Sequence, residues 1–291
     1  MAHNFMKPFL KLSLILVCIA LAIGTGLSFF PKSIHDVAVS GSQFQSQRWS
    51  GTVTIIGDTL FMPWLTLTIE PGTKVWFKKE AMHDLGDWTK YADAYIKDHN
   101  DPTGHEGYEK SHYDLTARII AIGTEESPIS LTALGRQLSP DPSPKYAAWD
   151  QLSLFSGSHL SHVIVEDAHN GITIEGSDVI VENSRVDTSL WSCIDIFSTG
   201  NTIARNDISH CWHQAIGVKV PGLNMITENT IHDAQLSVNC ENGADPLINL
   251  NLISAAPLGS DCPKSLDNII EDRPADVPGG LFEGKLIYPA S

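Results

Sequence analysis

Four short polar stretches in the second half of the chain collect the side chains that could do chemistry. They read Glu166-Asp167-Ala168-His169, Asp187-Thr188-Ser189-Leu190-Trp191, Ser209-His210-Cys211-Trp212-His213 and His232-Asp233-Ala234-Gln235. Counted back from the apolar run that follows each stretch, His169, Trp191 and His213 share a column. Counted forward from the run that precedes it, Asp167, Thr188, His210 and Asp233 share another. A carboxylate such as Asp195 could orient and charge-tune His210 or His213, whose imidazoles titrate near neutrality, and so support general acid and base catalysis. Lys219 is the one cation expected on the same face, and Trp191 and Trp212 would stack a sugar ring. His210, Cys211 and His213 are also zinc-type ligands, but no fourth ligand accompanies them. The competing reading is structural, because solvated turns of an acidic protein collect Asp and His without any catalytic role.

A second group of candidates lies between Lys78 and Ala117. Leu85, Trp88, Tyr91 and Tyr95 fall at helical spacing, which predicts an amphipathic helix from Asp84 to Asp98. Four of the six tyrosines lie in this segment, with His83, His99, His105 and His112. Trp88, Tyr91 and Tyr95 would form a platform for sugar or protein, or pack the helix onto the rest of the molecule. Asp98, Asn100 and Glu109 stand at positions 1, 3 and 12 of a loop that would offer oxygen ligands to calcium, although Pro102 and Thr103 fit that loop poorly.

The elements that must position these residues are repeats. Gly171-Ile172-Thr173-Ile174, Cys193-Ile194-Asp195-Ile196, Ala215-Ile216-Gly217-Val218 and Ser237-Val238-Asn239-Cys240 recur every 22 residues. Each alternates apolar and polar, the period of a strand with one buried face. A second column holds Val179-Ile180-Val181-Glu182-Asn183, Thr202-Ile203-Ala204-Arg205-Asn206 and Met225-Ile226-Thr227-Glu228-Asn229, continued by Asn249-Leu250-Asn251. Asn183, Asn206, Asn229 and Asn251 would then form a ladder of side-chain amides from coil to coil.

These rows resemble the repeat of right-handed parallel β-helix proteins, the solenoid of pectate lyases and many secreted surface proteins. Gly51-Thr52-Val53, Leu65 to Val75 and Ile120 to Ala133 resemble its opening coils. The resemblance implies an all-β, right-handed parallel β-helix over residues 49–258, carrying the insertion 78–117. It would be followed by a cap or tail over 259–291. About seven or eight coils at ~4.8 Å each make a rod roughly 35 to 40 Å long. The fold hosts lyases, hydrolases, epimerases and inert stalks alike, and no catalytic motif of the family maps onto this chain residue by residue. Cys240 and Cys262 are one coil apart and could bond in an oxidising compartment, whereas Cys193 and Cys211, 18 apart with a lateral offset, read as free buried thiols.

Leu12 to Phe30 runs nineteen residues without a charge, behind Lys7 and Lys11. That is long enough for a transmembrane helix with a cytoplasmic N-terminus, so residues 1–31 are expected to be an anchor, or a signal segment cleaved near Ala20-Leu21-Ala22. Residues 32–48 would be a linker. The 34 acidic residues against 19 Lys and Arg give a net charge of −15, which excludes nucleic-acid binding through phosphate contacts. The expected protein is a membrane-anchored extracytoplasmic binding or scaffold module for surface polysaccharide or an integral-membrane protein partner. The rival is a lyase, hydrolase or epimerase acting on an acidic polysaccharide. The cofactor that the chain could take is calcium, at Asp98, Asn100 and Glu109.

Overall fold

The computed structural model describes residues 31–78, 113–134, 149–189, 191–254, 256, 262, 267–271, 281–282 and 285–286. The apolar run Leu12–Phe30, the helix expected around Trp88, Tyr91 and Tyr95, the loop with Asp98, Asn100 and Glu109, and most of the tail lie outside them. Among the described residues, no helix is long and apolar enough to cross a membrane.

One 20-stranded sheet winds into a solenoid with three faces, and its rungs pair in parallel throughout. The first face stacks the end of β1 (Lys32–Gln43), the end of β2 (Gln47–Phe61), the start of β5 (Leu115–Ile122), β7 (Leu152–Leu154), β10 (Ile172–Ile174) and β13 (Ser192–Ile196). The later parts of β15 (Asp207–Val218) and β17 (Thr230–Cys240) complete it. The second face runs from the starts of β1 and β2 through β3 (Thr66–Ile69), the end of β5, β8 (His159–Ser161), β11 (Ile180–Glu182) and β14 (Thr202–Ala204). It ends with β16 (Met225–Thr227) and β18 (Leu247–Asn249). The third face contains the middles of β1 and β2, β4 (Lys74–Phe77), β6 (Ile129–Ala133), β9 (Val163–Glu166) and β12 (Arg185–Ser189). The starts of β15 and β17, β19 (Leu252–Ser254) and β20 (Ile269–Glu271) follow. A short antiparallel pair, β21 (Leu281–Phe282) with β22 (Lys285–Leu286), forms a separate sheet.

Alternation along each strand turns one set of side chains inward, as Leu115, Ala117, Ile119 and Ala121 of β5 show. Successive rungs place like on like: Ile172, Ile194, Ile216 and Val238 stand in register and are buried. The column continues into earlier coils as Leu152 and Leu115, and the early coils add large rings to the core. Phe77 stacks on Trp149 with centroids 3.9 Å apart, and Trp49 meets Phe61 edge-on.

Three boundaries differ from expectation. Residues 32–43 are not a linker but β1, paired along its length with β2, so the rod starts one coil earlier. The insertion closes before Ala117, since Leu115–Ala117 already pair with β7. The amide ladder is one residue out of the expected register at its start. Asn206, Asn229, Asn251 and Asn268 form it, each Nδ2 donating to the next Oδ1 at 3.0 Å. Ser184, whose backbone N–H donates to Asn206 Oδ1, stands where Asn183 was expected. Asn183 instead takes a left-handed turn conformation beside Arg205, which donates to it from Nε. A second, shorter ladder links Asn201 to Asn224 at the turn from the first face to the second.

Candidate functional site

The corner where the chain passes from the third face to the first gathers most of the chemistry-bearing residues. Asp167, Thr188, His210 and Asp233 each turn there with positive φ, between 50° and 65°, which places the expected column at one backbone position of four successive coils. Beside them the backbone forms its own ladder: His169 N–H donates to Trp149 O, Trp191 to His169 O, and His213 to Trp191 O, at 2.8 to 3.0 Å. The Trp191 and His213 rings stack at 4.4 Å with 15° between their planes. The two longest excursions of the rod leave and return at the same corner, one from β4 to β5 and one from β6 to β7.

His210 does not meet Asp195. Its Nδ1 lies 2.7 Å from Asp187 Oδ1 of the preceding coil, and Ser209 Oγ donates to the same oxygen at 3.1 Å. Arg185 pairs with the other oxygen, Asp187 Oδ2, and lies 3.6 Å from Glu166. Burial alone would raise the Asp187 carboxyl, but His210 and Arg185 together hold it well below the usual carboxylate range. The hydrogen bond to Asp187 raises the His210 imidazole against the opposing effect of burial. One coil further, His232 sits between Asp207 (3.3 Å) and Asp233 (2.7 Å). Its hydrogen bond to Asp207, opposed by burial and helped by Asp233, raises it to about 8. The two imidazoles are 6.0 Å apart, edge to face. Arg185 was not singled out from the sequence, and Asp187 and His232 were named in its polar stretches without being paired with a partner. Direct rungs pair Asp187 with Ser209, so its contact with His210 is diagonal between coils, and counting columns cannot find a diagonal.

Asp195 and Lys219 do come together, on the outer side of the first face, with Nζ 3.6 Å from Oδ1. Asp195 stands at an outward strand position, yet it is only 4% exposed. Gly217, the rung partner of Asp195, explains this, because a Cβ there would stand 2.2 Å from both Asp195 Oδ1 and Gln214 Nε2. The missing side chain lets Gln214 lie over the sheet and donate to Asp195 at 2.9 Å. Lys219 also donates to Glu241 at 2.6 Å, and Asn239 bridges Gln214 and Glu241. Burial pushes the Asp195 carboxyl up, and Lys219 and Gln214 offset only part of that effect.

The proposed catalytic set therefore divides: Asp195 with Lys219, His210 with Asp187, and His213 against Trp191. The backbone of Trp212 runs along β15 at the same corner. Cys211 is bonded to Cys193 (S–S 2.07 Å), so it is neither a free thiol nor a zinc ligand, contrary to both sequence readings. Those readings assumed straight columns, whereas the left-handed turn at His210 brings β15 round the corner toward β13. Cys240 and Cys262 form a second disulfide. Among the described residues, no cluster of three or more His, Cys, Asp or Glu could hold a metal ion.

The three parallel faces and their stacked amides define a parallel β-helix. Residues 152–262 match the family model for the right handed beta helix region, and the chain is a right-handed parallel β-helix repeat protein. No curated protein and no solved structure matches the chain.

Proposed function

We propose that the protein is a membrane-anchored extracytoplasmic binding or scaffold module, and that it meets a surface glycan at the third-to-first corner. The observation that carries this reading is the Trp191–His213 stack, held on a backbone ladder where both long excursions start and finish. Aromatic rings fixed on a rigid rod lose little freedom on binding, and one face or edge of a ring is a natural contact for a sugar. The ionisable groups beside it are tied to one another across coils, which suits a fixed charge pattern better than a pair of groups exchanging protons. A net charge of −15 opposes a polyanionic ligand, so an uncharged or amine-bearing glycan fits best. A partner among integral-membrane proteins is the second form of the same reading.

Catalysis on an acidic polysaccharide is the alternative, and the Asp195–Lys219 pair is the observation that favours it. Its weakness is access, since Asp195 is closed over by Gln214 and Lys219 is shared with Glu241. The deciding experiment titrates the full-length protein, in mild detergent, with uncharged, amine-bearing and acidic polysaccharides, and assays each mixture for new reducing ends and unsaturated product. Binding without product, weakened at least about tenfold in Trp191→Ala, supports the glycan module. Product from an acidic polymer that disappears in Lys219→Ala replaces it with the enzyme. No glycan binding, together with a stoichiometric integral-membrane companion in the purified material, moves the ligand from sugar to protein.

A further inference from the structure

The first two coils of the rod differ from the rest in what they show to solvent. Phe44 is 74% exposed and Trp64 is 76% exposed, the two largest values among the buried and exposed apolar side chains of the described residues. They are not scattered. Gln47 of β2 is the rung partner of Leu67 of β3, and counting three residues back from each reaches Phe44 and Trp64. Both therefore lie in the first-to-second turns of neighbouring coils, between the rungs Gln43–Phe61 and Gln47–Leu67. Thr66 N–H donates to Ser46 Oγ and holds the two turns together beside them. Two aromatic side chains held in open water on one ridge are a contact surface without an internal packing role.

What lies next to this ridge is readable from the chain. The uncharged run Leu12–Phe30 ends two residues before β1 begins at Lys32, with only Pro31 between, so no spacer separates that run from the first coil. The outer edge of β1 has no rung partner among the described residues, which makes it the end of the rod on that side. The electrostatics agree. Residues 31–78 carry Lys32, Arg48, Lys74 and Lys78 against Asp36, Asp58 and Glu70, a slight positive balance on a chain whose net charge is −15. An interface that carries anionic lipid would therefore repel this segment less than it repels the acidic remainder of the chain.

We propose that the N-terminal coil is seated on the lipid surface, with the Phe44–Trp64 ridge in the headgroup layer, so that the rod has a fixed attitude to the membrane. Exposed aromatics beside an apolar run are the residues that lipid interfaces retain, because the ring enters the acyl boundary while polar neighbours stay in water. The seating rests on the anchor reading above and adds to it: an anchor alone would allow the rod to swing.

The test labels the full-length protein with a nitroxide at Phe44→Cys or Trp64→Cys, each in a Cys18→Ser background where the remaining cysteines are bonded as disulfides. Phe197→Cys, at an exposed site far along the rod, is the reference. The protein is reconstituted in phosphatidylcholine vesicles containing phosphatidylserine, and collision with oxygen is compared with collision with a water-soluble nickel chelate. Seating predicts an oxygen-to-nickel ratio several-fold higher at both ridge positions than at Phe197. Equal ratios at all three sites, with the intact N-terminus found by mass spectrometry, overturn the seating and leave the anchor standing. Loss of residues before Lys32 together with recovery in the aqueous fraction overturns both. Protection from oxygen and nickel alike at the ridge shows a protein contact, such as a second copy, and also overturns the seating.

Discussion

The two halves of the rod are held together by different means. From β1 to β6 the interior mixes aliphatic side chains with large rings, Trp49, Phe61 and Phe77, which stacks on Trp149 ahead of β7, and the turns vary in length. From β10 to β20 the interior is a ladder of Ile and Val, and the coils are tied by the Asn206-to-Asn268 amides, two disulfides and ion pairs that link successive turns. Uniform coils can repeat one stabilising device at every rung. Coils interrupted by long excursions cannot, and they rely on bulk apolar fill, which tolerates irregular geometry. The comparison teaches that regularity lets one polar device, the stacked amide, recur from rung to rung, whereas buried polar groups of the first half, such as Gln47 accepting from Trp49 Nε1, are satisfied locally.

The sharpest way to break the comparison is Trp149→Ala. Removing a fully buried ring from the Phe77 stack should cost about 4 kcal/mol and open the first half, while amide hydrogen exchange stays slow from β10 onward. Equal loss of protection in both halves would mean that the rod unfolds as one unit. Asn229→Ala should act in the opposite place. It strips Asn206 N–H of its buried acceptor and Ile203 O of its donor, for about 2 to 3 kcal/mol, and exchange should quicken around β14 to β18.

Gly217→Ala is a smaller test, aimed at the covered pair on the first face. The added methyl forces apart the ends of two flexible side chains, so about 1 to 2 kcal/mol is expected. The amide signal of Gln214 should shift as its bond to Asp195 breaks. The smallest effect is on the pH dependence. Folding raises His232 from 6.5 to about 8, so its contribution is complete below 6.5 and is lost as pH rises through 8. Melting between pH 6 and 9 should show a fall of less than about 1 kcal/mol once solvent screening is allowed for, absent in His232→Gln. On the acid side Asp187, depressed by His210 and Arg185, contributes stability above its unfolded pKa and loses it as the solution becomes more acid.

What was legible in the sequence follows the same division. The rows at Ile172, Ile194, Ile216 and Val238 could be aligned because a constant coil length makes column counting equivalent to geometry. The same counting placed His169, Trp191 and His213 together. It failed wherever contacts run diagonally or the chain bends: Asp187 with His210, Cys193 with Cys211, and the ladder whose first member is Ser184 rather than Asn183. β1 was missed because Lys32–Gln43 contains few large apolar residues. An end coil has little interior to fill, and only Ile34 and Val39 of β1 are buried. The cover over Asp195 was not legible, because alternation predicts which way a side chain points and says nothing about what a neighbouring glycine allows to fold over it.

Both long excursions leave one rung and rejoin the next without disturbing the pairing on either side: Phe77 still stands opposite Ala133, and Leu115 opposite Leu152. A stretch of chain can therefore be lengthened, shortened or exchanged at this corner while the rod keeps its registration. Such a framework lets a lineage alter what it recognises without renegotiating how it folds, and it gives an engineer two adjacent ports at which a foreign loop can be inserted.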